Sequence, residues 1–312
     1  MKVLLAGATG TIGDAVAREL VRNGHTLLCP LRPGAKLRCQ GADPLPCNLT
    51  EPGSLSRALA GRRIEAVVSC MATRSGAPVD AWAVEHDAQS NLLSEAGADR
   101  FILLSAICVQ KPMLVFQHAK RAFEQRLQES GSRWTIVRPT AFFKSLSGQV
   151  ARVQAGKPFL VFGDGTLTAC KPISDRDLAR FIVSCLADTG TVGQVLPVGG
   201  PGPAITPLDQ ANHLFRLLGR SPRTRRVPVG LLGAAAGAFE LLGRMSASMR
   251  DRAEFARTGR YYATESMLLW DEIAGRYDAD GTPEFGSDTL WDHYADLIAG
   301  RVRTDLGAHA AF

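Results

Sequence analysis

The stretch Gly7-Ala8-Thr9-Gly10-Thr11-Ile12-Gly13 constrains this chain more than any other. It follows the apolar run Val3-Leu4-Leu5 and opens a segment in which Val16, Ala17, Leu20 and Val21 share one helical face, closed by Asn23-Gly24. A strand running into glycines and then into a helix is compatible with few folds. Glycines allow a sharp turn and let backbone N–H groups approach an anion closely, and the helix start adds partial positive charge.

Four more short apolar runs follow: Thr26-Leu27-Leu28-Cys29, Ala66-Val67-Val68, Phe101-Ile102-Leu103-Leu104 and Thr135-Ile136-Val137. They are near-continuous, not alternating, which points to burial on both faces in a parallel sheet covered by helices. The expected class is therefore α/β: a doubly wound parallel sheet of the NAD(P)-binding Rossmann type over residues 1–145. Beyond residue 140 the rhythm breaks at Gly156-Lys157-Pro158, Gly163-Asp164-Gly165 and Gly199-Gly200-Pro201-Gly202-Pro203. Residues 146–312 are expected to form a smaller substrate-binding region of mixed short elements, partly returning to that sheet. From about residue 302 the chain is small and polar up to Phe312 and is expected to be loosely held.

Several classes are disfavoured. The 7 cysteines are odd in number and contain no Cys-x-x-Cys pair, which argues against a disulfide framework, a zinc knuckle or an iron–sulfur cluster. The net charge of +6 favours anionic ligands, yet the basic residues are scattered apart from Arg223, Arg225 and Arg226, so nucleic acid is not expected. The opening MKVLLAGATGTIG lacks the long apolar region of a signal peptide, and a cytoplasmic location is expected.

An NAD site places Asp or Glu about 20 residues past the glycines to hold the ribose 2′-hydroxyl. Here no carboxylate falls between Glu19 and Asp43, and the second strand runs into Arg32 and Lys36. A guanidinium forks onto a phosphate and a second cation reinforces it, so NADPH is the expected cofactor.

The glycine spacing, G-x-x-G-x-x-G, resembles that of the extended and atypical short-chain dehydrogenase/reductases, which usually carry Tyr-x-x-x-Lys. The corresponding place reads Phe116-Gln117-His118-Ala119-Lys120: the lysine is kept and the phenol is missing. Longer strings narrow the likeness. Leu103 to Pro112, Val137 to Leu146, Cys170 to Asp175, Gly199 to Gly202 and Gly259 to Ala263 resemble the NADPH-dependent 3,8-divinyl (proto)chlorophyllide 8-vinyl reductases of the type without an iron–sulfur centre. The resemblance covers nearly the whole chain. It implies reduction of a vinyl group to ethyl on a magnesium tetrapyrrole, a reaction in which no alkoxide needs a tyrosine proton.

The same resemblance makes Lys120 the catalytic candidate, set against the nicotinamide ribose, with Ser105 beside the nicotinamide and Pro139 at the cofactor cleft. Gly7, Thr9, Gly10, Thr11, Ile12 and Gly13 would hold the pyrophosphate. Phe142 and Phe143 offer flat faces to a macrocycle, with core packing as the alternative, and Lys144 and Lys171 are candidates for its propionate. The proton donor stays open between Lys120, water and His118. No metal site is expected. Two other functions remain on the same fold: an NADP-sensing regulator or assembly factor of the NmrA type, and an isoflavone-reductase-like alkene reductase. Finally, the run Val227–Phe239 is uncharged, preceded by the three arginines and followed by Arg244. It is too short to span a bilayer. Within 227–243 it is either a packed helix or an interfacial one touching anionic lipid.

Overall fold

The computed structural model describes residues 1–73, 77–231, 233, 234, 237, 239 and 247–302. Two compact units divide the chain: Met1–Pro139 with Asp175–Pro197, and Thr140–Ser174 with Val198–Phe312.

The first unit carries strands β1 (Lys2–Ala6), β2 (Thr26–Leu31), β3 (Ala42–Pro46), β4 (Ala66–Ser69), β5 (Arg100–Leu104) and β6 (Arg133–Pro139). With β7 (Phe159–Phe162) falling in the second unit, the last strand of the sheet is β8 (Gln194–Val198). The order is β3-β2-β1-β4-β5-β6-β8, parallel in every pairing from β3 to β6. Such an order, two halves running outward from the β1–β4 boundary, is that of the dinucleotide-binding doubly wound sheet. Every residue of β4 and β5 is buried, as expected for strands covered on both faces. β3 is different: Asp43, Pro44 and Pro46 are exposed, and only Leu45 points into the core. Two prolines are tolerated there because an edge strand has a side with no ladder to complete.

Helices α1 (Thr11–Arg22), α2 (Ser54–Leu59), α3 (Pro78–Trp82), α4 (Gln89–Glu95) and α5 (Val115–Gln128) alternate with these strands. A π-helical turn, Ala83–Ala88, joins α3 to α4 without a break. Val16, Ala17 and Leu20 of α1 are fully buried, and the helix stops at Asn23 and Gly24, where φ is +75°. Across the sheet, Leu4, Val67, Phe101, Phe123, Leu127 and Ile136 belong to one apolar cluster. Burying each such side chain contributes about 1.5–3 kcal/mol.

Helix α8 (Asp175–Ala187) comes back from later in the sequence to pack against α1. It is pinned by Arg100, a guanidinium only 4% exposed at the start of β5. Arg100 Nη1 donates to Arg133 O at 2.7 Å, and Nη2 to Thr135 Oγ1 at 2.8 Å, Cys185 O at 2.6 Å and Thr191 Oγ1 at 3.1 Å. A cation bonded to a carbonyl in the last turn of α8 also sits favourably at the negative end of the helix dipole.

In the second unit β7 pairs in parallel with β9 (Thr224–Val227), and Leu269–Asp271 pairs antiparallel with Arg276–Asp278. Helices α6 (Phe143–Leu146), α7 (Val150–Gln154) and α9 (Pro207–Leu217) precede the helices Ala247–Thr264 and Leu290–Ile298. Tyr294 is completely buried, its hydroxyl 2.7 Å from Leu146 O and 3.1 Å from Gln210 Oε1. The Gly199-Gly200 pair is explained by close packing: a Cβ on Gly200 would lie 1.9 Å from Pro172 O. Residues 303–312, including Phe312, lie outside the described residues.

Replacing Arg100 by Met should lower the unfolding free energy by about 3 kcal/mol, because four acceptors lose a charged donor in a buried setting. The measurement is the urea midpoint at unchanged slope; a wild-type midpoint would show that Arg100 does not hold α8.

Candidate active site

The strands of the first unit end in register along one edge. Ala6 is level with Ser69, and Leu104 with Val137. Strand order reverses between β1 and β4, so the two connections leaving that edge diverge and open a crevice. Gly7 turns the chain out of β1 with φ +82°, and a Cβ there would lie 2.5 Å from Cys70 O, just beyond β4. A Cβ on Gly13 would lie 2.0 Å from Gly7 O, so α1 packs directly on the turn. Gly10 differs. Its nearest neighbour would be Gly7 O at 3.4 Å, and the residue is exposed. As the N-cap of α1 it brings no side chain to the first-turn amides, which leaves that end of the helix suited to an anion. Thr9, Thr11 and Ile12 are half-buried around it.

Beyond β2, Arg32 and Lys36 are exposed in a turn closed by Ala35 N donating to Arg32 O at 3.1 Å. A third cation reaches the glycine loop itself. Arg38 Nη2 donates to Thr9 O at 3.3 Å, and Arg38 Nε lies 3.9 Å from Asp14. Sequence reasoning stopped at Lys36 and missed it, because nothing in the local pattern tells which residue of a polar turn folds back.

Lys120 lies on the inner face of α5, 9% exposed, and its Nζ is 2.8 Å from Glu85 Oε2. Glu85 belongs to the π-helical turn, is 2% exposed, and accepts from Thr73 N at 2.8 Å through its other oxygen. This carboxylate was not anticipated either. With Gln89, Leu103, Ser105 and Phe123 the pair lines a narrow gap with no room for a water molecule. Ser105 N donates to Val137 O at 2.8 Å, fixing the turn, while the buried Ser105 Oγ has no hydrogen-bond partner. Gln89 is held by the Ser69 hydroxyl at 2.7 Å. Two thiols adjoin Lys120. Burial pushes Cys70 up to about 12 and Cys108 up to about 11, with the lysine charge acting weakly the other way. Both are therefore neutral near pH 7.

Other candidates fall elsewhere. Phe116, in the place of the missing tyrosine, is half-buried, and His118 is exposed on the outer face of α5. Pro139 is buried at the end of β6, but its neighbour Arg138 turns away to grip Glu124 through both guanidinium edges, at 3.1 and 2.5 Å. Within the second unit Phe143 is 5% exposed and packs on His293 with ring centroids 5.4 Å apart, which is core packing. Phe142 and Lys144 are half-buried. Lys171 has a partner in the structure. It is 5% exposed, and its Nζ lies 2.6 Å from Glu284 Oε1, so its charge is neutralised internally.

The crevice fits a phosphorylated dinucleotide: a turn in which Gly10, unlike Gly7 and Gly13, is not pressed against backbone closer than 3.4 Å, an uncapped helix start, three arginine or lysine residues after β2, and an orphaned hydroxyl at Ser105 beside a buried lysine. Gly7→Ala and Gly13→Ala should each lower the melting temperature by several degrees, since backbone must shift. Gly10→Ala should melt with the wild type. Equal melting of all three would contradict the close approach.

Residues 7–189 match the family described as NAD(P)H-binding. The chain is 45% identical to the chloroplastic divinyl chlorophyllide a 8-vinyl-reductase of Oryza sativa subsp. indica, across 99% of this chain and 82% of that protein. The enzyme of the same description from Arabidopsis thaliana is 42% identical across 98% and 79%. A photosystem II assembly factor, Ycf39 of Synechocystis, is more distant, 28% identical across 97% of this chain and 92% of its own. Among solved structures, the Vitis vinifera leucoanthocyanidin reductase–NADPH complex has a TM-score of 0.68 at 18% identity, covering 96% of this chain and all of that one. That likeness concerns the fold.

Proposed function

The chain belongs to the NAD(P)H-binding family and, within it, to the divinyl chlorophyllide a 8-vinyl-reductases, and from that premise we propose that it reduces the 8-vinyl group of divinyl chlorophyllide a to ethyl with NADPH. The observation that carries this reading is sequence identity far above the fold level along almost the whole chain. It is an oxidoreductase of chlorophyll or bacteriochlorophyll synthesis. The weaker likeness to an assembly factor does not favour a non-catalytic role.

NADPH supplies hydride. Everything else falls to side chains. A vinyl conjugated to a macrocycle delocalises developing negative charge, so the protein has to orient the reactants and provide one proton. In our reading Gly7 to Gly13 and the start of α1 take the pyrophosphate, and Arg32 and Lys36 take the 2′-phosphate, with Arg38 beside them. Lys120 and Ser105 hold the nicotinamide end, and buried Pro139 shapes the adjoining strand end. Phe142 and Lys144 remain candidate substrate contacts. The missing phenol at Phe116 fits a reaction that creates no alkoxide.

The decisive assay mixes purified protein, NADPH and divinyl chlorophyllide and follows the Soret band together with product mass. A gain of two hydrogens supports the reading, and NADPH binding without turnover overturns it. Arg32→Asp should weaken NADPH by about ten-fold or more while leaving NADH little changed, since it exchanges a charge-assisted phosphate contact for repulsion. An unchanged preference would mean that the phosphate lies elsewhere.

Location is a further part of this proposal. Among the described residues no helix is long and apolar enough to cross a membrane. We place the protein in the cytoplasm, touching the photosynthetic membrane through 227–243. That segment is described only in part; Arg225 and Arg226 before it and Leu231 within it are exposed. Full-length protein should pellet with anionic vesicles and a 228–243 deletion should not, with NADPH binding kept. Equal pelleting, or none by either, would count against the contact.

A further inference from the structure

A buried ion pair is a poor way to stabilise a fold. Desolvating a carboxylate and an ammonium costs several kcal/mol, and apolar residues of the same size often do as well. The first unit nevertheless keeps Glu85 at 2% exposure against Lys120 at 9%, in a wall shared with Gln89, Leu103, Ser105 and Phe123. It also distorts a helix to do so, since Glu85 sits in a π-helical turn between α3 and α4. Such turns are uncommon and cluster at functional sites. Glu85 is doubly anchored. Oε1 is fixed by Thr73 N at 2.8 Å, and Oε2 lies at ion-pair distance from Lys120 Nζ, 2.8 Å, without hydrogen-bond geometry. An ammonium has three N–H donors, so Lys120 can meet Glu85 and still present protons to the gap that holds Ser105 Oγ.

We propose that Glu85 is the positioning residue of the reaction: it keeps Lys120 as an ammonium beside Ser105, where that ammonium is the proton donor. The inference rests on the reductase reading above. The substrate vinyl receives two electrons and one hydrogen as hydride from NADPH at one carbon. It receives the proton of Lys120 Nζ at the conjugated position. Lys120 is left as an amine beside Glu85 and regains a proton from solvent, so that vinyl, NADPH and one proton become ethyl and NADP⁺. Ser105 takes no part in the transfer, since an unactivated hydroxyl is a far weaker acid than an ammonium.

Few other groups bear on this lysine. Cys70 and Cys108, the thiols beside it, are held neutral by burial. On the turn that carries Glu85, His86 and Asp87 pair with each other at 2.8 Å. Asp80 on α3 is exposed, and Lys111 after the 3₁₀ turn Ile107–Gln110 is half-buried. Arg138 of β6 is neutralised by Glu124. Among the described residues Glu85 is the carboxylate at ion-pair distance, and its removal favours the uncharged amine.

The test compares wild type, Glu85→Gln and Glu85→Asp in single-turnover reduction of divinyl chlorophyllide from pH 6 to pH 10, with Lys Nζ resonances of the NADPH-loaded protein titrated in parallel. Lys120→Met assigns the resonance. Glu85→Gln should move the alkaline limb of the rate, and the Lys120 midpoint, down by about one to three pH units. The low-pH plateau should be largely kept, and Glu85→Asp should lie between. A merely structural Glu85 would lower the melting temperature and leave both midpoints in place, which overturns the proposal. If Glu85→Gln does not fold, the same shift is read from Glu85→Asp, and its absence is equally fatal. Should the wild type turn over no pigment, the reductase reading fails on its own; the Lys120 midpoint then still decides whether Glu85 holds the charge.

Discussion

The contact on which the first unit depends is between two pieces of backbone. Gly7 comes so close to the carbonyl of Cys70 that no side chain fits between them, and α1 is seated on the same turn through Gly13. The approach brings the ends of β1 and β4 together at the point where strand order reverses. It also places the open start of α1 over the crevice, so packing and anion binding have one origin. Of the three glycines only Gly10 has no backbone closer than 3.4 Å to where a Cβ would stand.

That arrangement was legible because it is local. The run Val3-Leu4-Leu5, the glycines and the face Val16, Ala17, Leu20 read directly as strand, turn and helix, and the structure places them so. The retained Lys120 and the cationic turn at Arg32 and Lys36 were visible for the same reason. What could not be read was non-local or ran against pattern. β3, with two prolines and an exposed Asp43, lacks the apolar signature of its neighbours. Arg38 folds back on Thr9 from a polar loop. Glu85 is a charged residue in a helical stretch, which ordinarily means a solvated face; a π-helical turn rotates it inward, and no periodicity announces such a turn. The pairing of Lys171 was equally hidden, because its partner Glu284 lies more than a hundred residues away.

The chemistry follows from what was kept and what was given up. Losing the phenol at Phe116 removes a proton donor that a carbonyl reduction requires. Keeping Lys120 preserves a buried cation, and Glu85 gives it a counter-charge that a purely apolar wall would not. The two buried thiols stay silent, held neutral by the same desolvation that the ion pair overcomes.

The return of α8 and β8 to the first unit bears on how the chain is made. Residues 175–197 complete a layer begun by the first 139, so a ribosome must release the intervening stretch before the sheet can close. Until then α1 lacks the helix it packs against, and the four acceptors of Arg100 cannot all be assembled. Closing so wide a loop adds little entropy cost beyond that of a short one. It does impose a wait: during synthesis a half-finished sheet with bare apolar surface persists, and it is in this interval that a chaperone has something to hold.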